Sequence, residues 1–139
     1  MTDKYDANNE EHKKVKYGIE IGNSLPEIAS TKEVVDALRK VGFEIIEVTD
    51  FGIQTPQNPV PWYEPLASRY TLSGFRYTQL GRYLTGMFVS ALEFVRFAPK
   101  GSTKTSNLLQ ETAYDLVRGG ELGIFTPSYF FVARKPENK

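Results

Sequence analysis

The 139-residue sequence has no cysteine, one histidine and no net charge, and each lack narrows what the chain can be. Without thiols there is no disulfide framework, no zinc knuckle and no cysteine nucleophile. His12 stands alone, which excludes a multi-histidine metal site. Seventeen Lys and Arg balance seventeen Asp and Glu. The broad positive field that draws a protein onto a nucleic-acid backbone is therefore missing, and no nucleic-acid partner is expected. No run of about 18 apolar residues is present, so no segment is expected to cross a membrane. The opening Met1-Thr-Asp-Lys-Tyr-Asp6 is polar and acidic, unlike a secretory signal. A nucleotide loop is missing as well. Gly119-Gly120-Glu-Leu-Gly123 follows an expected helix and enters an expected strand, the reverse of a phosphate-binding turn.

What is present is the composition of a folded domain, 40% apolar and 24% charged, at a length that buries roughly 68% of its unfolded surface. Aromatic residues are plentiful: nine Phe, eight Tyr and one Trp. Periodicity predicts a helix over 10–21, with Val15, Ile19 and Tyr17 as its apolar positions and Gly22 as a left-handed cap. Ser30 and Glu33 form a capping-box pair that opens a second helix through Val34, Val35, Leu38 and Val41, which Gly42 stops. Phe43 to Thr49 then reads as a strand. From Asp50 to Pro65 four of the eight prolines fall together, an extended connection rather than an element.

Ser73 to Arg96 is the strongest periodic segment, and as one helix it would be about 36 Å long. Tyr77, Leu80, Leu84, Met87, Phe88, Ala91 and Val95 share its apolar side. After Ala98-Pro-Lys-Gly101 a further helix is expected over 104–118, buried through Leu108, Leu109, Ala113, Leu116 and Val117, with Gly119-Gly120 ending it. Ile124 to Arg134 reads as a strand that is apolar on both faces. Two strands make a marginal sheet in water. The chain is therefore expected to be part of a larger fold or to pair with another chain, a second copy included.

Few residues suggest chemistry by themselves. His12, among Glu10, Glu11, Lys13 and Lys14, reads as a solvated helix face. Asp3 and Asp6 beside Tyr5 are either acid–base groups or solubilising carboxylates. Glu64, between Tyr63 and Pro65, is either a carboxylate with aromatic neighbours or a solvent-facing turn residue. The aromatic set Trp62, Tyr63, Tyr70, Phe75, Tyr77, Tyr83 and Phe88 fits an ordinary core. It also fits an apolar pocket for a large flat ligand. A third reading lays the long helix on a membrane surface with Arg76, Arg82 and Arg96 behind it.

Several segments together resemble a known family. Met1-Thr-Asp-Lys-Tyr-Asp6, Asn8-Asn-Glu-Glu-His12, Ile19-Glu-Ile-Gly22, Pro61-Trp-Tyr63, Leu80-Gly-Arg82, Ala98-Pro-Lys-Gly101, Phe125-Thr-Pro127 and Phe131-Val-Ala-Arg-Lys-Pro136 are similar, in order, to the C-terminal part of sterol 24-C-methyltransferases. The resemblance implies an α/β fold, α+β as an isolated fragment. Residues 1–49 would end a class I methyltransferase sheet domain, 50–123 would be a proline loop and helical insertion, and 124–139 the final antiparallel strand and tail. It implies methyl transfer from S-adenosylmethionine to a sterol side-chain alkene, with the cofactor loop encoded before Met1 and this chain inactive alone. Trp62, Tyr63, Tyr83 and Phe88 would line the sterol, and Asp3 would stand at the edge of the active cleft as the polar contributor. The implied setting is the surface of the endoplasmic reticulum or a lipid particle, with a sterol, a missing N-terminal part and peripheral membrane contact as partners. A free-standing sterol or lipid carrier is the competing reading.

Overall fold

The computed structural model describes residues 1–67 and 79–136. Their order is α1 (Glu10–Gly22), α2 (Thr31–Lys40), β1 (Glu44–Asp50), a short α3 (Glu64–Ala67), α4 (Gln79–Phe94), α5 (Ser102–Glu121) and β2 (Tyr129–Arg134). This is a mixed helical fold with a single antiparallel strand pair among the described residues.

Helix α1 starts where the Asn9 side chain accepts from the Glu11 and His12 amides, while Glu10 and Glu11 suit the positive end of the helix dipole. It lies along α5. Val15 and Ile19 are buried in this contact and pack with Met1 and Ile124 into the core; Tyr5, Ile28, Leu116, Leu122 and Phe125 close around it. Small residues let the two helix backbones approach. A Cβ on Gly22 would lie 1.6 Å from Thr112 Oγ1. That contact, and not a left-handed cap, is the role of Gly22: the cap residue is Asn23, with φ −98°.

Glycine also rewrites the expected end of α5. Gly119 and Gly120 lie inside the helix, which continues to Glu121. A Cβ on Gly119 would meet Phe125, Ile19 and Val15 within 3.4 Å. These glycines are there for close packing, and the turn comes at Gly123, whose φ is +68°. The buried face also differs from the periodicity reading. Thr112 and Gly119 are buried, whereas Leu109 is 58% exposed.

The capping box of α2 forms as expected: Glu33 N donates to Ser30 Oγ at 3.1 Å, and Ser30 N donates to Glu33 Oε2 at 2.7 Å. Hydrogen bonds from Ser30 hold the Glu33 carboxyl below its ordinary pKa. Gly42, at φ +90°, turns the chain into β1. β1 pairs with β2, Asp50 opposite Tyr129 and Glu44 opposite Arg134, with an irregularity between Ile45 and Glu47. β2 begins at Tyr129, so the strand expected from Ile124 is shorter. Residues 124–128 are not strand, and Ile124 is fully buried in the helical core instead.

Helix α4 is described from Gln79, and the expected start at Ser73 lies outside the described residues, as do Tyr70, Phe75, Arg76 and Tyr77. Its C-terminal end is tied to the start of α5. The Glu93 carboxylate accepts from Gly101 N at 2.7 Å, Thr103 N at 2.9 Å and Thr103 Oγ1 at 2.7 Å. The bond from the Gly101 amide comes first in holding that carboxyl below its ordinary pKa. The apolar stripe of α4 is not a core face, contrary to the ordinary packing expected of it. Tyr83, Leu84, Met87 and Phe88 are 48–67% exposed. The chain exposes 10422 Å² at a mass of 15.7 kDa, where a compact monomer of that mass exposes roughly 7,300 Å².

Candidate functional site

The end of β1, the end of α5 and residues Thr2, Asp3 and Lys4 meet around one cavity of about 490 Å³, within the range of small-molecule sites. Backbone bonds lay the first residues across the fold. Thr31 N donates to Met1 O at 2.8 Å, and Thr2 N donates to Ile124 O at 2.9 Å. Thr2 Oγ1 adds a bond to Gly123 O at 2.6 Å. Asp3 is thereby placed at the cavity, where Thr31 Oγ1 donates to its Oδ1 at 3.2 Å.

The same cavity is lined by a second carboxylate that the sequence did not single out. Asp50, the last residue of β1, accepts from Gly52 N at 2.8 Å and from Thr126 Oγ1 at 2.5 Å, both on Oδ1. These bonds fasten the start of the proline segment to the chain that leaves α5. The proline segment is itself less open than its composition suggests. Thr55 and Asn58 exchange backbone bonds of 3.1 and 3.0 Å, and Gln54 Nε2 donates to Pro59 O at 2.7 Å.

Pro61, Trp62 and Tyr63 then form the aromatic wall. The Trp62 ring meets Tyr63 edge-on at 5.5 Å and Phe125 at 5.8 Å. Tyr63 rests on α5 where Gly120 leaves room, since a Cβ there would stand 2.2 Å from Tyr63 Cδ1. The Tyr63 carbonyl starts α3 by accepting from Leu66 N and Ala67 N. Aromatic walls with two carboxylates and the hydroxyls of Thr2, Thr126 and Tyr129 suit a mostly apolar ligand fixed by a few polar contacts.

Three of the five residues singled out by sequence, Asp3, Trp62 and Tyr63, therefore line one cavity. Tyr83 and Phe88 do not join them. Both project from α4, 67% and 64% exposed, and Tyr83 borders a shallow groove with Met87 and Asn107 instead. His12 is partly buried, and its Nδ1 accepts from the Asp6 amide at 3.0 Å. Glu64 is exposed. No cluster of metal-binding side chains occurs among the described residues, and no described helix is long and apolar enough to cross a membrane. Asp50, Phe125 and Gly120 were missed as site residues; the signal for Asp50 was its place at a strand end, just before the prolines.

Comparison with known proteins agrees with the resemblance read from the motifs. Residues 72–137 match the family described as Sterol methyltransferase C-terminal. The chain is 49% identical over 138 residues to the cycloartenol-C-24-methyltransferase of Arabidopsis thaliana, which covers 99% of this chain and 40% of that protein. It is 44% identical over 147 residues to the sterol 24-C-methyltransferase of Kluyveromyces lactis, and 40% identical over the same length to that of Candida albicans. In both cases the match takes in 100% of this chain and 39% of the relative. The chain thus spans about two fifths of the curated relatives it matches. No solved structure matches it significantly.

Proposed function

Because the chain corresponds in sequence to the C-terminal part of the sterol 24-C-methyltransferases, we propose that it is the sterol-covering region of such an enzyme. In this reading the whole protein moves a methyl group from S-adenosylmethionine to a sterol side-chain alkene. β1 and β2 are the last two strands of a class I methyltransferase sheet, with residues 50–123 inserted between them. The observation that carries the reading is the cavity lined by Trp62, Tyr63 and Asp3, in a chain 49% identical to a cycloartenol methyltransferase along nearly its whole length.

The division of labour follows from the side chains. Gly119, Gly120 and Gly123 do not form a cofactor cradle: the space above them is taken by Phe125, Tyr63 and Lys4 respectively. In this reading S-adenosylmethionine is held by the larger part of the enzyme, which lies outside the two fifths of the relatives that this chain matches. What this chain contributes is the substrate side. Electron-rich ring faces stabilise a nearby cation without trapping it as a nucleophile would. In this reading Trp62 and Tyr63 do that for a positive charge developing on the sterol, and exclude water from it. Asp3 lines the same cavity as an acceptor. Tyr83 and Phe88 enter this reading as a separate apolar surface on α4. The endoplasmic reticulum or a lipid-particle surface, where sterols are held, is the setting it implies.

Two titrations of the 139-residue chain test the proposal. Trp62 is the sole tryptophan, so its emission should shift and saturate as a sterol with a side-chain alkene is added. Unchanged emission with no retained sterol overturns the substrate role. Calorimetry with S-adenosylmethionine should show no binding, and micromolar affinity would contradict the placement of the cofactor site elsewhere.

A further inference from the structure

The most exposed apolar side chains in the described structure are Phe94 and Phe97, each 88% exposed, with Val95 between them at 58%. They sit on a hydrogen-bonded turn. Arg96 N donates to Glu93 O at 3.1 Å and Phe97 N donates to Leu92 O at 2.9 Å, the two bonds of a Schellman helix end. In that motif the residue after the left-handed position usually folds back onto the helix. Phe97 instead stands in solvent. The left-handed position, normally glycine, is held by Arg96 at φ +62°, a conformation that costs a non-glycine residue roughly 1 kcal/mol.

Charge follows the same turn. From Phe94 to Gln110 the sequence carries Arg96, Lys100 and Lys104 and no carboxylate, in a chain whose net charge is zero. None of the three cations has an ion-pair partner among the described residues, whereas Arg118 and Arg134 do. The adjacent Glu93 spends its carboxylate on the start of α5. Lys100 and Lys104 border one shallow concavity with Phe94.

We propose that the turn Phe94–Lys104 is a membrane-contact site, inserting Phe94 and Phe97 into the interfacial layer of an anionic bilayer while Arg96, Lys100 and Lys104 meet lipid phosphates. Exposed rings near cations that lack an ion-pair partner among the described residues match that surface: apolar side chains enter the acyl boundary, and each nearby cation adds attraction to anionic lipid. A protein partner fits less well, because interface cores are depleted in Lys and would leave these charges buried without acceptors. The inference does not depend on the sterol reading.

The test is cosedimentation of the chain with vesicles of 30% phosphatidylserine in phosphatidylcholine, and with pure phosphatidylcholine. Binding is expected to anionic vesicles and to weaken with salt. Each Phe→Ser change at 94 or 97 should weaken it by about tenfold. Replacing Arg96, Lys100 and Lys104 together by Gln should weaken it on the order of a hundredfold on anionic vesicles only. Ile46→Ser, at a 59% exposed position on the strand ribbon, should leave binding unchanged and serves as the control for unspecific adhesion. Since Phe94 and Phe97 support no packing, melting temperatures should not move. Equal binding to both vesicle types, or equal loss in the Ile46 variant, overturns the proposal. So does a dimer in sedimentation equilibrium that the Phe variants dissolve while vesicle binding is absent.

Discussion

The α1–α5 seam and the α4 face are built from similar apolar residues and behave in opposite ways. In the seam, Val15 and Ile19 are 3% and 0% exposed, and glycines bring the helix backbones together. On α4, Leu84 and Phe88 recur at helical spacing yet remain 48% and 64% exposed, and Gly86 has open space where a Cβ would go. The contrast teaches that periodicity announces an apolar face without saying whether this chain supplies its cover. Close-approach glycines mark the face that is covered from within.

The largest effect that should separate the two regions comes from truncating a side chain in each. Ile19→Ala empties a fully buried position and should cost about 2–5 kcal/mol of stability, read as a lower urea midpoint. Phe88→Ser on α4 should change stability by no more than about 0.5 kcal/mol. A comparable loss at Phe88 would mean that the chain covers α4 itself, in solution, by an arrangement or an association other than the one described.

Adding a methyl group sharpens the same contrast. Gly22→Ala must displace Thr112 and should destabilise by about 1–3 kcal/mol, the usual range for overpacking. Gly86→Ala meets nothing within 4 Å and should stabilise by roughly 0.5–1 kcal/mol, because alanine loses less freedom in a helix than glycine. Gly120→Ala lies between these cases. Helix propensity favours it, but the new Cβ collides with the Tyr63 ring. Its clearest signature should be a changed Trp62 emission, since Trp62 and Tyr63 are in ring contact.

These glycines also explain where the sequence could be read and where it could not. α1, α2 and β1 were legible from local signals: the capping box of Ser30 and Glu33 and the stop at Gly42 are chemistry confined to a few neighbours. Gly22, Gly119 and Gly120 were misread as punctuation because their reason lies in residues far along the chain. Gly22 answers to Thr112, and Gly120 to Tyr63. The site divides in the same way. Trp62 and Tyr63 stand out by composition, at the end of a proline-rich stretch. Asp50 joins them only through Thr126, seventy-six positions away, a pairing that no local pattern carries.

The smallest expected effect tests how tightly the seam closes. Asp115, half-buried on α5, takes the space left by Gly18 on α1. Desolvation there raises its pKa above the ordinary carboxyl value, with Lys14 opposing and Glu111 adding to the rise. A raised carboxyl pKa means that the folded chain holds this proton more firmly than the unfolded one. The stability linked to it is therefore present below the unfolded pKa and is lost as pH rises through the folded value. Glu33 and Glu93 have the opposite sign. Their pKa values are lowered by hydrogen bonds, so their contribution is lost as pH falls. The whole chain should thus weaken in acid even as the Asp115 penalty vanishes, and the two must be separated by comparing variants at one pH. Asp115→Asn should raise stability at pH 7 by up to about 0.5 kcal/mol and make no difference at pH 3. An equal gain at both values would show that the effect is packing against Gly18 rather than a buried charge, and that the seam admits water at this point.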